Sequence, residues 1–442
     1  MEELTALPVG AESDRRREGP SFDFPSILTQ EGRFVQRSRS VPSAAAMYTG
    51  ASMRSLEGRG WSLVSLAALA SAFVAVFVEE ASVSVDPAFR VAPTPSSYSL
   101  GSLESETRFV SSDSPPSVHG ATAVEIAGGR IRAFWYGGSR EGAKDVAIYS
   151  AVFDPSSSSW GPQQIATTRG ETARDLGRYV KKLGNPLVAR DSQGRLWLFY
   201  LSVSLGGWSG SAVNFRISED QGATWGRARR IVTSPFLNLG TLVRGPALLF
   251  ADGTLGLPVY HELLGKFGEL LRLSPEGEVL DKIRISHGRS SLQPVVVPLA
   301  PLEAVAFLRS SGASPRRILS VTTEDGGRTW GDLAPTGLPN PDAAVGALRT
   351  SGGEILIAFN DSEVDRSNLK LAVSRDGGRS FRALVTVDPP RPPGAGGEAA
   401  SPELAYPWLL ESSDGALHLL YSWNRSRIVH VRYRSAASTG RP

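Results

Sequence analysis

The chain of 442 residues contains no cysteine, only three methionines and five histidines. The first absence excludes disulfides, a thiol nucleophile and any cysteine-based zinc or iron–sulfur centre. It leaves the compartment open, because a core of this size needs no covalent staples. The histidines are too dispersed for a metal site, and neither His-Glu-x-x-His nor His-x-His occurs. No glycine-rich phosphate loop or nucleophile elbow is present either, so neither a metal nor a cofactor is expected. Charge of one sign never accumulates. The formal net charge is +3 with arginines spread along the chain, and nucleic acid is not an expected partner.

What is plentiful is punctuation. The 46 glycines and 30 prolines separate short β-branched and aromatic runs, and turn dipeptides such as Asp252-Gly253, Gly352-Gly353 and Asp414-Gly415 recur between them. This is an all-β pattern. Three copies of one phrase stand out: SEDQGATW at Ser218–Trp225, TEDGGRTW at Thr323–Trp330 and SRDGGRSF at Ser374–Phe381. Their aspartates are 105 and 51 residues apart, a period of about fifty with one copy degenerate near Ser274. A short Asp side chain accepts hydrogen bonds from its own turn, glycine supplies positive φ, and the aromatic packs between sheets. The phrase therefore closes a hairpin and is structural. A further degenerate copy is FDPSSSSW at Phe153–Trp160.

Trp61–Val78 is an uncharged, mostly apolar run of 18 residues, with Arg54 and Arg59 before it and Glu79 and Glu80 after it. That length is at the short end for a bilayer-spanning helix, and the basic flank would keep its start inside. Ala70-Ser71-Ala72 also resembles a signal cleavage site. Either way the expectation is a hydrophobic helix over 61–78, a disordered segment over 1–60, an extracytoplasmic propeller over 87–435, membrane-anchored or secreted, and a disordered tail over 436–442. The roughly 350 residues of that propeller suit six four-stranded antiparallel blades, with no oligomer required.

The Asp phrases match the Asp-box, or BNR repeat, of the sialidase superfamily, and the resemblance extends over Ser117–Tyr433. Lines such as GNPLV, LPVYHE, LQPVVV, LPNPDAA and ELAYPWL carry it. The resemblance implies a catalytic tyrosine assisted by a glutamate, a carboxyl acid/base, and an arginine clamp on the sugar carboxylate. Tyr406 stands where the nucleophilic tyrosine precedes the last blade; Arg309 and Arg366 stand where the second and third clamp arginines do. Glu141 or Asp145 occupies the early loop that carries the acid/base. Two positions depart from the pattern. Val118-His119-Gly120 replaces the segment bearing the first arginine, and Gln293 replaces the glutamate partner of the tyrosine. Glutamine cannot take a proton.

Other residues read from the sequence complete the candidate site. Glu262 follows a strand ending near the pocket and offers a carboxylate in place of the lost one, against the plainer reading of a loop glutamate. Tyr260, His119, Asn360, Arg425 and His430 are candidate lining residues, each competing with packing or surface roles. Asn185 and Asn340 each precede a proline and read as turn initiators. The expected activity is exo-hydrolysis of a glycoside with a terminal acidic sugar on a glycan or polysaccharide. A non-catalytic carbohydrate-binding propeller and a uronate lyase are the alternatives.

Overall fold

The computed structural model describes residues 65–71, 87–91 and 103–435, apart from 112, 234–237, 239, 264 and 388–401. Six antiparallel sheets follow one another along the chain. Blade I comprises Ser117–Ile126, Arg130–Gly138, Ala147–Asp154 and the outer pieces Ser159–Trp160 and Gln164–Thr167. Blade II runs Lys182–Arg190, Leu196–Val203, Ser211–Ser218 and Arg229–Arg230. Blade III opens with Thr241–Val243 and Leu248–Leu249 and continues through Leu255–His261, Phe267–Leu273 and Val279–Arg284. Blade IV is Ser291–Pro298, Ala304–Ser310, Arg317–Thr323 and Ala334–Pro339. Blade V is Gly346–Arg349, Ile355–Phe359, Lys370–Ser374 and Arg382–Thr386.

Blade VI has only three strands from its own stretch of chain, Leu404–Glu411, Leu417–Trp423 and Arg427–Ser435. Its fourth is Leu103–Phe109, paired antiparallel from Leu103 opposite Ser435 to Phe109 opposite Val429. The front of the propeller thus covers the edge that its last strand would otherwise expose. This strand was not legible as one: Leu103–Phe109 mixes charges with few apolar residues because one face is solvated.

Strands sandwiched between neighbouring blades are buried on both faces and so lose the alternation of a one-sided sheet. All eight residues of Leu196–Val203 are buried. Trp197 stacks on Phe215 at 5.0 Å and on Phe199 at 5.7 Å between centroids, and its Nε1 donates to Asp191 at 2.9 Å.

The Asp phrases form the turns expected of them. Asp220 accepts from Ser218 Oγ at 2.8 Å, from the Thr224 amide at 2.8 Å and from Thr224 Oγ at 2.6 Å. The Thr224 hydroxyl and amide hold its carboxyl down to about 2. Asp325 and Asp376 repeat the pattern. The degenerate copies keep the geometry with fewer bonds: Asp154 accepts from Ser156, and Ser274 Oγ accepts from the Glu276 and Glu278 amides. Each phrase follows a third strand, and antiparallel pairing puts it at the end of the blade away from where second strands finish.

Residues 65–71 are helical. Among the described residues no helix is long and apolar enough to cross a membrane. The expected hydrophobic helix over 61–78 is therefore not found beyond this one short stretch; its other residues, like 1–60 and 436–442, lie outside the described residues.

His430 does not line the axis. It lies where blades I and VI meet, its Nδ1 accepting from Trp160 Nε1 at 3.2 Å, its Nε2 2.8 Å from His418 Nδ1. Ser412 Oγ lies 3.0 Å from the other His418 nitrogen. Burial, then Arg432, pushes His418 down to about 4; burial, His418, Arg432 and Arg108 push His430 well down. Above pH 6.5 both are neutral in the folded and the unfolded chain. Below it the unfolded chain takes up protons that the folded one refuses, so stability falls as pH drops from about 6.5 towards 4, by up to about 1.4 kcal/mol per pH unit per group. Urea midpoints across this range should decline less steeply in His418→Gln than in the parent; an equal slope would assign the loss to other groups.

Candidate active site

The inner strands of four blades carry an irregularity near their start, at His119/Thr122, Gly184/Leu187, Leu292/Val295 and Ala405/Trp408. At each one a residue takes positive φ: Gly120 at 65°, Asn185 at 42°, Gln293 at 54° and Tyr406 at 56°. The last three precede Pro186, Pro294 and Pro407. Proline lacks an N–H, so within a sheet it is confined to places where the ladder is already interrupted. A bulge also re-aims side chains. Of the two X-Pro pairs that read as turn initiators, Asn340 does turn the chain, accepting from the Ala343 amide at 3.2 Å, whereas Asn185 sits in a bulge inside a strand, and the bulges direct Asn185, Gln293 and Tyr406 towards one centre.

A network of contacts there links all six blades. Tyr260 Oη accepts from Gln293 Nε2 at 3.3 Å and from Asn185 Nδ2 at 3.5 Å. Gln293 Oε1 accepts from Arg309 Nη1 at 3.4 Å, and Arg309 Nε pairs with Asp342 Oδ1 at 2.6 Å. The Asp342 carbonyl accepts from Arg366 Nη2 at 2.7 Å, while Arg366 Nη1 reaches Glu403 at 3.5 Å. Glu403 holds Arg425 through Nε at 2.9 Å and Nη2 at 3.2 Å; Arg425 Nη1 then meets Glu141 at 2.7 Å. Glu141 accepts from Tyr136 Oη at 3.3 Å. The His119 ring lies edge-on to Tyr136 at 5.9 Å and to Tyr406 at 4.5 Å, which brings Tyr406 to the end of the chain of contacts.

Of the residues expected at a site, Tyr406, Glu141, Arg309, Arg366, His119, Tyr260, Gln293 and Arg425 belong to this network. Asp145 does not. It is exposed and accepts from the Ser139 amide and hydroxyl at 2.8 and 3.0 Å, stapling its own loop. Asn360 is buried and donates to the Asn368 and Leu404 carbonyls at 2.5 and 2.9 Å, so it anchors the loop carrying Arg366. Arg425 is spent on two carboxylates. Glu262 makes no side-chain hydrogen bond among the described residues; burial raises its pKa, with Arg309 and Lys266 opposing. Members that escaped the sequence reading are Tyr136, Asn185, Asp342 and Glu403, together with Arg244, which donates to the Tyr406 carbonyl at 2.8 Å. The repeated X-Pro at inner-strand starts was a usable signal for Arg244, which stands in Arg244-Gly245-Pro246.

Burial sets the electrostatics of the inner residues of this network. Burial, then Arg425, Arg244 and Arg366, lowers the pKa of His119 well below the usual imidazole value, so it is a neutral acceptor at neutral pH. Its Nδ1 is buried without a partner. Burial and Glu141 push the Tyr136 phenol well up, and burial raises Tyr260. No described side chain hydrogen-bonds the Tyr406 hydroxyl. Two guanidiniums meeting at Asp342 offer forked donors suited to a carboxylate. A cavity of about 300 Å³ lined by Asp365, Arg366, Ser367, Pro402 and Glu403 adjoins them. Among the described residues no group of three or more side chains is placed to hold a metal ion.

Comparison with solved structures finds this fold repeatedly. A Dyadobacter fermentans protein of unknown function superposes with a TM-score of 0.61 at 13% identity, covering 75% of this chain and 99% of the other. The intramolecular trans-sialidase from Ruminococcus gnavus, in complex with oseltamivir carboxylate, gives 0.58 at 13% identity over 76% and 98%. The NanB sialidase from Streptococcus pneumoniae gives 0.57 at 12% identity over 81% and 72%. At such identities the likeness is one of fold. No curated protein sequence matches the chain. The model of the BNR repeat-like domain matches residues 129–419. With its six blades, its Asp-boxes and that match across most of its length, the chain belongs to the BNR repeat-like family of the sialidase-like superfamily.

Proposed function

We propose that this propeller is a glycoside hydrolase acting on a terminal acidic sugar. The observation that supports it most is the meeting of Arg309 and Arg366 at Asp342, in the same network as Tyr406 and Glu141. The sugar carboxylate takes the place of the Asp342 side chain on Arg309, with Arg366, whose Nη2 keeps the Asp342 main-chain carbonyl, beside it. Tyr406 then attacks the anomeric carbon, losing its proton to neutral His119, because Gln293 has no lone pair basic enough to accept it. As the bond from the Tyr406 oxygen to carbon forms, the glycosidic bond breaks, and the departing oxygen takes its proton from solvent beside the Glu141 carboxylate, while His119 later returns its own proton to solvent. Water later releases the sugar. The apolar run Trp61–Val78 motivates placing this activity outside the cytoplasm.

A panel of chromogenic acidic glycosides tests the reading on the purified protein. Release from at least one is expected, with a large loss in Arg309→Met and a smaller one from uncharged analogues. Glycan binding without turnover, unchanged in Tyr406→Phe, would leave a carbohydrate-binding propeller. A second reading draws on the His119–Tyr406 contact and the missing glutamate. In it neutral His119 removes the proton next to the carboxylate of a uronate, the 4-linked oxygen leaves with the Tyr406 proton, and a C4–C5 double bond forms. Products absorbing in the ultraviolet would identify this lyase.

A further inference from the structure

Arg244 follows the inner strand of blade III and is 4% exposed. Buried guanidiniums normally face a carboxylate, because an unpaired buried charge is costly. This one has no carboxylate within salt-bridge distance among the described residues. Its Nη1 donates to the Ala121 carbonyl at 3.3 Å, and its Nη2 to the carbonyls of Tyr406 at 2.8 Å and Pro407 at 3.3 Å. Nε has no partner. The adjoining space between Val295, Gly346, Pro407 and Trp408 measures about 10 Å³, too small for an anion. The guanidinium carbon lies 5.1 Å from the centre of the Tyr406 ring and 5.8 Å from that of Trp408.

We infer that Arg244 is the positioning residue of Tyr406, holding its bulge from across the axis and supplying the positive charge against which a Tyr406 phenolate forms. This rests on the reading of Tyr406 as the reacting group and adds what replaces the missing glutamate. With Tyr406 protonated and His119 neutral, Arg244 is a buried cation with no carboxylate in contact among the described residues. When the Tyr406 O–H bond breaks and the proton leaves through His119 to bulk water, the electron pair stays on the phenol oxygen, beside that cation. The other groups acting on this centre are Tyr136, Tyr260, Arg309, Arg366 and Arg425, and the carboxylates of Glu141 and Glu262, which oppose a phenolate. Tyr136 and Tyr260 are more deeply buried than Tyr406, and Arg309 and Arg425 have carboxylate partners. Arg244 is the unpaired one.

Phenolate absorbance of the full chain, titrated upward in pH, provides the test, with Tyr406→Phe identifying the step that belongs to Tyr406. In Arg244→Gln, which retains an amide donor for the carbonyls, that step should move at least about one pH unit higher. In Arg244→Lys, which keeps the charge, it should stay within a few tenths. An unmoved step in folded Arg244→Gln overturns the inference. Should that variant not fold, the parent decides: Tyr136→Phe and Tyr260→Phe would show whether either of those phenols ionises before Tyr406, and if one does the inference fails. A shifted step in a protein that cleaves no glycoside retains the role of Arg244 and removes only the enzymatic reading.

Discussion

Tyr406→Phe should lower glycoside turnover by about a thousandfold, in the range of losses expected for a group that handles the reacting proton and bond. The variant should fold as the parent does. Phenylalanine keeps the edge-on contact with His119 and the ring beside Arg244, and the backbone bonds from Arg244 are unaffected. The hydroxyl has no side-chain partner to abandon. A change in stability below about 1 kcal/mol is therefore expected, since no buried partner is left unsatisfied. Comparing kcat/KM with the urea midpoint separates the two effects. A variant retaining more than a tenth of parental activity would remove Tyr406 from the chemistry.

A large structural effect is expected at Gly245. A Cβ there would sit 1.9 Å from the carbonyl oxygen of Pro294 and 3.3 Å from Val295 Cα, all of it main chain in the bulge of blade IV. No side chain can rotate away, so backbone must move. Overpacking of this kind costs about 1–3 kcal/mol and occasionally more; here about 3 kcal/mol is expected for Gly245→Ala. The displacement also bears on Arg244 and on Gln293, so activity should fall with stability. Gly207→Ala, where nothing lies within 4 Å of the added carbon, is the control and should remain within about 0.5 kcal/mol. Equal urea midpoints for the two variants would contradict the close approach of blades III and IV.

Why were some parts readable and others not? The Asp-boxes work through local bonds. Ser218, Asp220 and Thr224 satisfy each other within seven residues, and so the phrase announces its own turn. Tyr406, Arg309 and Arg366 were found through resemblance, as each sits in a segment that matches the superfamily. Asp145 was misplaced because Ser139, six residues away, satisfies it locally, and a loop of alternating charge does not reveal which carboxylate turns inward. Asn360 was misjudged for a similar reason: its partners are backbone carbonyls at Asn368 and Leu404, and backbone leaves no signature in composition. Arg244 is the clearest case. Its hydrogen bonds reach 123, 162 and 163 residues along the chain, and no window of sequence contains both ends.

Repetition at fifty-residue intervals, hairpin chemistry and two-sided apolar strands by themselves determined a six-bladed ring, since those signals act over the few residues that a turn or ladder spans. Closure by Leu103–Phe109, the His418–His430 seam and the choice of which polar groups face the axis were decided only by tertiary structure. The physical reason is the same in each instance. A buried charge or donor is stabilised by whatever partner the completed ring brings within about 3 Å, and in a propeller that partner comes from a different blade.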